Sequence, residues 1–398
     1  MTAQSIVPLR EIAITGRVAV SCLGRGSEVH ARAFREGRTG LIPCDYPDVT
    51  VPCFIGRVAG LETAQIPKNL AAYTNRATQL AVLAMGTDTF GERIARAARL
   101  WGRKRLGLVL GTSTSGVERL EQVYRARKGD APLATDYQIY NHNDHHAVTM
   151  FLVELLGIEG PAFTVSTACS SSAKAIVDAA QLIQLGICDA VLAGGIDSLC
   201  LTSLYGFDAL ELLSSTPCRP FDANRDGLSI GEGAGFVLLE RDGNGPWLSG
   251  YGESSDATTM STPPPDGAGA ALAMRRALTR AGLAAEEIGF VKLHGTATRA
   301  NDTAEGAAVA EVFPSTTPAA SLKGMIGHTL GAAGILEAVL CLDAMEIGYF
   351  PGTIGLKAPD PAVALRPRMI GEAHEAGHVV CNSFGFGGSN CTLVLSRE

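Results

Sequence analysis

Short apolar, partly β-branched runs alternate along this chain with longer stretches whose apolar residues recur at helical spacing, which is the pattern of an α/β protein. Ile12-Ala-Ile-Thr-Gly16 predicts a first strand, and residues 17–24 a loop with at most a short extended piece. Residues 27–38 predict an amphipathic helix with Arg32, Arg35 and Arg38 at helical spacing. A polar, proline-containing excursion over 44–67 leads to a second helix, 70–84. A helix over 93–100 then precedes a buried strand, 106–110, which runs into Gly111-Thr-Ser-Thr-Ser-Gly116.

That arrangement comes back later. A helix over 271–281 precedes the strand Phe290-Val-Lys-Leu293, which runs into His294-Gly-Thr-Ala-Thr-Arg299. A second matched pair follows in the same order. Residues 161–195 carry strand, Cys169 and helix, and residues 318–342 carry strand, Gly327-His328 and helix. The repeat predicts two similar α/β halves, 1–244 and 245–398, facing each other with chemistry at the strand ends, where α/β sheets place ligands. Between the matched segments lie a polar, turn-rich loop over 217–235 and a surface loop over 259–269 with three consecutive prolines. The chain closes on Asn382-Ser-Phe-Gly-Phe386-Gly-Gly-Ser-Asn390 and a last strand, 391–395.

Composition narrows the classes. At 398 residues the chain has ample surface to bury, and 46 glycines with only 6% aromatic residues fit tightly packed α/β units. A net charge of −7 argues against a general nucleic-acid binder. The ten cysteines include no C-x-x-C pair and read as reduced thiols. Met1-Thr-Ala-Gln-Ser5 lacks a basic segment leading into an apolar one, and no apolar run reaches membrane-spanning length, so a cytoplasmic protein is expected.

Pro161 to Ile176 is the stretch that carries chemistry. It predicts strand, tight turn and helix, with Cys169 at the junction. There the free N–H groups and macrodipole of the helix start favour a thiolate, which is one way to activate a nucleophile; a buried structural cysteine is the alternative. His294 and His328 occupy equivalent places in the second half and read as its companions, and Lys323 follows a strand into the same turn as His328. Glu337, on the next helix, is placed to pair with His328. His374-Glu-Ala-Gly-His378 matches a zinc-protease pattern, but Gly377 and the immediate strand start at Val379 argue against the single helix that pattern needs. Asn141-His-Asn-Asp-His-His146 invites a metal and is read instead as a polar loop or helix start capped by Asn143 or Asp144. No metal is expected.

Thr167-Ala-Cys169-Ser-Ser, His294-Gly-Thr-Ala-Thr298, Lys323-Gly-Met-Ile-Gly-His328 and Asn382 to Asn390, in that order, resemble the β-ketoacyl-acyl-carrier-protein synthases of fatty-acid and polyketide synthesis. The resemblance spans nearly the whole chain. It implies a thiolase-like fold of two duplicated halves in a five-layered αβαβα stack. It also implies that Cys169 takes an acyl group as a thioester and that His294 and His328 assist decarboxylation of malonyl-carrier protein. Lys323 would orient the site through Glu337, and the N–H groups of Cys169 and Phe386 would form an oxyanion hole. Phe386 would gate the site, Thr296 and Thr298 would hold the pantetheine arm, and Thr114 would lie at the acyl pocket. No cofactor is implied beyond the phosphopantetheine of the carrier protein, which is acidic and would dock on a basic patch. Lys68, Arg125, Arg127 and Lys128 are candidates for that patch, with a solvated helix face as the alternative.

The family forms homodimers, or heterodimers with a chain-length-factor subunit, through the strand before Cys169. Polar residues at 114 and 141–146 point away from a long saturated chain and toward a specialised pathway of the aryl-polyene type. A non-catalytic partner subunit is the alternative reading, and the presence of Cys169 speaks against it.

Overall fold

Residues 12–21 form one unbroken strand, β1 (Ile12–Ser21), in the computed structural model, which describes residues 12–397. The segment Met1 to Ser5 lies outside them. The loop expected after Gly16 is absent because the pairing register shifts between Ile14 and Gly16: the glycine absorbs a bulge and the strand continues. β2 (Gly24–Arg25) leads to α1 (Ser27–Glu36), closed by Gly37 at φ 58°. The excursion that follows carries β3 (Ile42–Pro43) and β4 (Phe54–Gly56).

The helix expected over 70–84 starts later, because Asn75 caps it. The Asn75 side chain accepts from the Thr78 N–H and the Thr78 hydroxyl accepts from the Asn75 N–H, so α2 (Arg76–Met85) begins there and Lys68–Tyr73 is a separate 3-10 segment. Then come α3 (Phe90–Trp101), β5 (Leu106–Gly111), α4 (Val117–Ala126), α5 (Ile139–His142), α6 (Ala147–Leu156) and β6 (Ala162–Val165). They are followed by α7 (Ser171–Gln184), β7 (Ala190–Asp197), α8 (Leu201–Ala209), β8 (Ile230–Gly231) and β9 (Gly233–Glu240). The rest of the chain runs β10 (Trp247–Ser255), α9 (Ala268–Ala281), β11 (Phe290–Leu293), α10 (Arg299–Val312), β12 (Ala319–Ser321) and α11 (Lys323–Ile326). It ends with α12 (Ala333–Ile347), β13 (Tyr349–Phe350), β14 (Glu372–Ala373), β15 (His378–Gly385) and β16 (Ser389–Ser396).

The main sheet follows the path β12-β11-β15-β16-β10-β1-β9-β7-β5-β6. Its two ends repeat one design. In each, the third strand in chain order pairs parallel with the second and the second parallel with the fourth, while the fourth pairs antiparallel with the fifth and the fifth with the first. The two ends meet where β1 and β10 share the pairs Ile12↔Leu248 and Ala13↔Trp247.

Three apolar clusters set the layers. α2, α3 and α6 cover one outer face, α9 and α10 the other, and α7 and α12 lie packed between the two halves of the sheet. This is a five-layered, thiolase-like α/β fold. Because α12 is covered on every side, all its residues from Ala333 to Met345 are buried, among them Glu337. Glycines allow the close approach: a Cβ on Gly111 of β5 would lie 2.4 Å from the Ser172 backbone of α7, and one on Gly334 of α12 would lie 2.6 Å from the Ala173 nitrogen.

Candidate active site

Three strands of the duplicated design end at one place, and each delivers its side chain through a tight turn. After β6, Ala168 adopts φ 52°, a left-handed conformation that turns Cys169 inward at the start of α7. The Ser171 hydroxyl holds this elbow, accepting from the Thr167 N–H and donating to the Ala168 carbonyl. After β11, His294 precedes Gly295 at φ 43° and Ala297 at φ 68°. After β12 and α11, His328 lies between Gly327 at φ 74° and Leu330 at φ 52°. Left-handed conformations at Ala168, Ala297 and Leu330 cost on the order of 1–3 kcal/mol each and persist only where surrounding structure fixes them.

The result is a buried cluster. His328 Nε2 lies 3.0 Å from Cys169 Sγ, and the two imidazoles meet edge to face with centroids 5.3 Å apart. Lys323 Nζ donates to the His294 carbonyl at 2.5 Å, lies 3.4 Å from His294 Nδ1 and pairs with Glu337 Oε1 at 2.8 Å. Glu337 does not reach His328; its second oxygen takes Lys292 Nζ at 2.6 Å. Behind His294, the buried Glu305 carboxylate accepts the N–H groups of His294 and Gly295 at 2.6 and 2.7 Å. The N–H groups of Phe386 and of Cys169 itself favour the charged form of the thiol.

Electrostatics here correct the expectation of a resting thiolate. Burial pushes the Cys169 thiol up to about 11, a larger effect than the opposing pull of the Lys323 ammonium and the Phe386 N–H. Burial first, and then the positive charge of Lys323, holds both His294 and His328 well below the ordinary histidine value. The resting centre is therefore a neutral thiol beside neutral imidazoles, and Cys169 becomes a nucleophile only as its proton leaves during attack. Alkylation of Cys169 by iodoacetamide, followed by peptide mass spectrometry, is expected to rise about tenfold per pH unit from pH 7 toward 10. A plateau already at neutral pH would mean a preformed thiolate.

Cys169, His294 and His328 open onto a cavity of about 450 Å³ that Thr296, Thr298, Phe384 and Phe386 also line. The Thr296 and Thr298 hydroxyls lie 2.9 Å apart, and Phe386 packs against Phe207 of α8 with ring centroids 5.8 Å apart. Thr114 is half-buried and donates its hydroxyl proton to Asp197, a buried carboxyl that also binds the N–H groups of Ser113, Thr114 and Gly331. It is thus less polar toward any neighbour than the sequence suggests. Lys68, Arg125, Arg127 and Lys128 do not line this cavity. Arg125 pairs with Asp48 and borders a separate polar groove with Tyr46 and Glu118, while Arg299 stands exposed at the cavity.

The other histidines lie elsewhere. His374 and His378 sit at and in strands rather than on one helix, bonded to the Gly289 carbonyl and the Ser396 hydroxyl. His142 stacks on Tyr137, His145 meets the Ser113 carbonyl and His146 the Thr164 hydroxyl, so the three point apart. Asp144 caps the turn before α6 by accepting the His146 N–H.

Sequence reasoning missed Lys292, Glu305 and Asp197. Lys292 had a readable signal: it sits on a strand, two residues before His294.

The comparisons agree with this geometry. Residues 9–244 match the model of the β-ketoacyl synthase N-terminal domain and residues 247–357 that of the C-terminal domain. The chain is 30% identical over 419 aligned positions to 3-oxoacyl-acyl-carrier-protein synthase 2 of Vibrio cholerae, covering 98% of this chain and 99% of that one. It is 31% identical over 404 positions to nodulation protein E of Rhizobium meliloti, covering 98% and 99%. Among solved structures it superimposes with a TM-score of 0.89 and 34% identity on the ketosynthase ApeO of Xenorhabdus doucetiae, solved with its chain length factor ApeC, covering 98% of each chain. With both domain models matched in order around a Cys-His-His cluster, the chain belongs to the β-ketoacyl synthase family.

Proposed function

We propose that this chain is a β-ketoacyl-acyl-carrier-protein synthase in which Cys169 carries the growing acyl group. The observation that carries the reading is the buried Cys169 thiol 3.0 Å from His328 Nε2, with His294 beside it, at the floor of an open cavity. In the first half-reaction the Cys169 sulfur attacks the thioester carbonyl of an acyl-carrier protein, and its proton ends on the departing pantetheine thiol. The Cys169 and Phe386 N–H groups lie against the sulfur, where the carbonyl oxygen gains charge.

Malonyl-carrier protein then occupies the same cavity. Its carboxylate leaves as CO2, the electron pair passes to the α-carbon, and neutral His294 and His328 donate hydrogen bonds to the enolate oxygen. The carbanion attacks the Cys169 thioester, the cysteine sulfur leaves, and a β-ketoacyl-carrier protein is released. Neutral imidazoles suit this step, because each donates one hydrogen bond without neutralising the carbanion by proton transfer. Thr296 and Thr298 hold the pantetheine arm and Phe386 gates the cavity. Lys323, joined to Glu337, fixes His294 through its carbonyl.

The carrier protein docks on the basic residues Lys68, Arg125, Arg127 and Lys128, with Arg299 added at the cavity. β6 stands at the end of the sheet path with all four residues half-buried, and Tyr124, Ile139 and Tyr140 lie exposed on α4 and α5. This edge is the dimer surface, shared with a second ketosynthase-fold subunit. A chain-length-factor-like partner is favoured by the likeness to ApeO, and the His146–Thr164–Thr149 hydroxyl and imidazole chain near β6 favours a product other than a long saturated chain.

Reconstitution with malonyl-carrier protein and a panel of acyl-carrier proteins is expected to yield β-ketoacyl products and CO2 in equal amounts. Extension of ordinary saturated chains at full rate by the chain alone would count against the specialised pathway and the heterodimer.

A further inference from the structure

Lys292 is fully buried, and no step above uses it. It lies on β11, an interior strand between β12 and β15, two residues before His294, which follows directly after the strand, and its charge acts on that histidine. Its Nζ donates to Glu337 Oε2 of α12 at 2.6 Å and to the Asn382 carbonyl of β15. Glu337 therefore accepts two buried ammoniums, one on each oxygen: Lys323, which holds His294, and Lys292 behind it.

A fold does not need this arrangement. A second buried charge costs several kcal/mol in desolvation, and a glutamate paired with Lys323 alone would be neutral. We propose that Lys292 is a positioning residue for decarboxylation, a second buried cation that locks the Glu337–Lys323–His294 chain and adds a positive charge under the two histidines while negative charge develops above them. The inference rests on the synthase reading.

The neighbouring groups fix the sign. Around Lys292 stand Glu337 and Cys341 on α12, Cys381 on β15, Cys391 on β16, Lys323 on α11 and Glu305 on α10, with His294 and His328 in front and Asp302 beyond Glu305. The Lys292 charge helps hold both histidines neutral and pulls the Glu305 carboxyl down against the burial that raises it to about 6. Removing that charge raises the proton affinity of all three groups. Protonation of any of them disturbs the His294 turn or its hydrogen bond, so the acid limb of the rate profile moves to higher pH.

The test measures decarboxylation of malonyl-carrier protein from pH 5 to 8 by the full-length wild type, Lys292→Met and Lys292→Gln, alongside Cys169 acylation by intact mass. Both variants are expected to move the acid limb up by about one pH unit, as loss of a charge at this range does. Decarboxylation should fall by about fivefold to tenfold at pH 6, and acylation should fall less than decarboxylation. The Gln variant keeps a donor for Glu337 and Asn382, so it reads the limb if the Met variant does not fold. An unmoved limb, full rescue by Gln, or failure of both variants to fold would make Lys292 a structural residue and overturn the proposal. A wild type that never decarboxylates malonyl-carrier protein would overturn the synthase reading and this inference with it.

Discussion

Cys169→Ala is expected to lose the acyl adduct entirely and to lower condensation by on the order of 10⁴-fold or more, since among the described residues no other thiol lies in the cluster. The other groups facing the sulfur, His294 and His328, are buried imidazoles, and an acyl-imidazole formed on either would pass its acyl group on rapidly. Decarboxylation should behave differently. It uses the histidines and needs no covalent bond to the enzyme, so the alanine variant is expected to go on converting malonyl-carrier protein to acetyl-carrier protein and CO2. Removing one sulfur from a buried site leaves a small cavity worth about 1 kcal/mol, too little to unfold the chain. The measurement is intact mass after incubation with acyl-carrier proteins, paired with CO2 release. A mass adduct that survives on the variant would move the nucleophile to another cysteine. Loss of both reactions together would mean that the sulfur supports the histidines rather than carrying substrate.

The duplicated design was readable from the chain because helix, strand and the G-T-x-T or Gly-His turns recur in one order, and strand ends fix where side chains meet. Cys169, His294 and His328 could thus be placed together before any coordinates. What proximity does to charge was not readable. At the start of α7 the sequence points to a thiolate, but burial decides the outcome and pushes the thiol up to about 11. Glu337 shows the same limit. Its place on the next helix offers His328 as its partner and the family resemblance Lys323, whereas the structure gives both oxygens to lysines, one of them contributed by a strand 45 residues away. The missed bulge at Gly16 and the cap at Asn75 have local causes, a register shift and a side-chain bond, that apolar periodicity does not record.

Glu337→Ala is expected to be the most destabilising single change in the site. Both carboxylate oxygens are buried, and each holds an ammonium that is itself fully buried, so the substitution leaves Lys292 and Lys323 facing each other without a countercharge. Breaking one buried pair by deleting a partner costs about 3–5 kcal/mol, and here two pairs go at once, so little folded protein is expected at 37 °C. Glu337→Gln keeps the volume and one acceptor and isolates the charge. In that variant burial and mutual repulsion hold the lysines below their unfolded value. The unfolded chain then binds more protons than the native one, and stability rises with pH through the window below the ordinary lysine value. The wild type should not show this rise: burial lowers Lys323 while Glu337 raises Lys292, and the two directions oppose each other. Urea midpoints at pH 7 and pH 9.5 distinguish the cases. The Gln variant should gain stability on going to pH 9.5 relative to wild type, with condensation lost at both pH values because Lys323 no longer holds the His294 carbonyl in place. Equal midpoints for variant and wild type at pH 7 would mean that the lysines are neutral in the native chain, and that neither the Glu337 pairs nor the charge assigned to Lys292 exists.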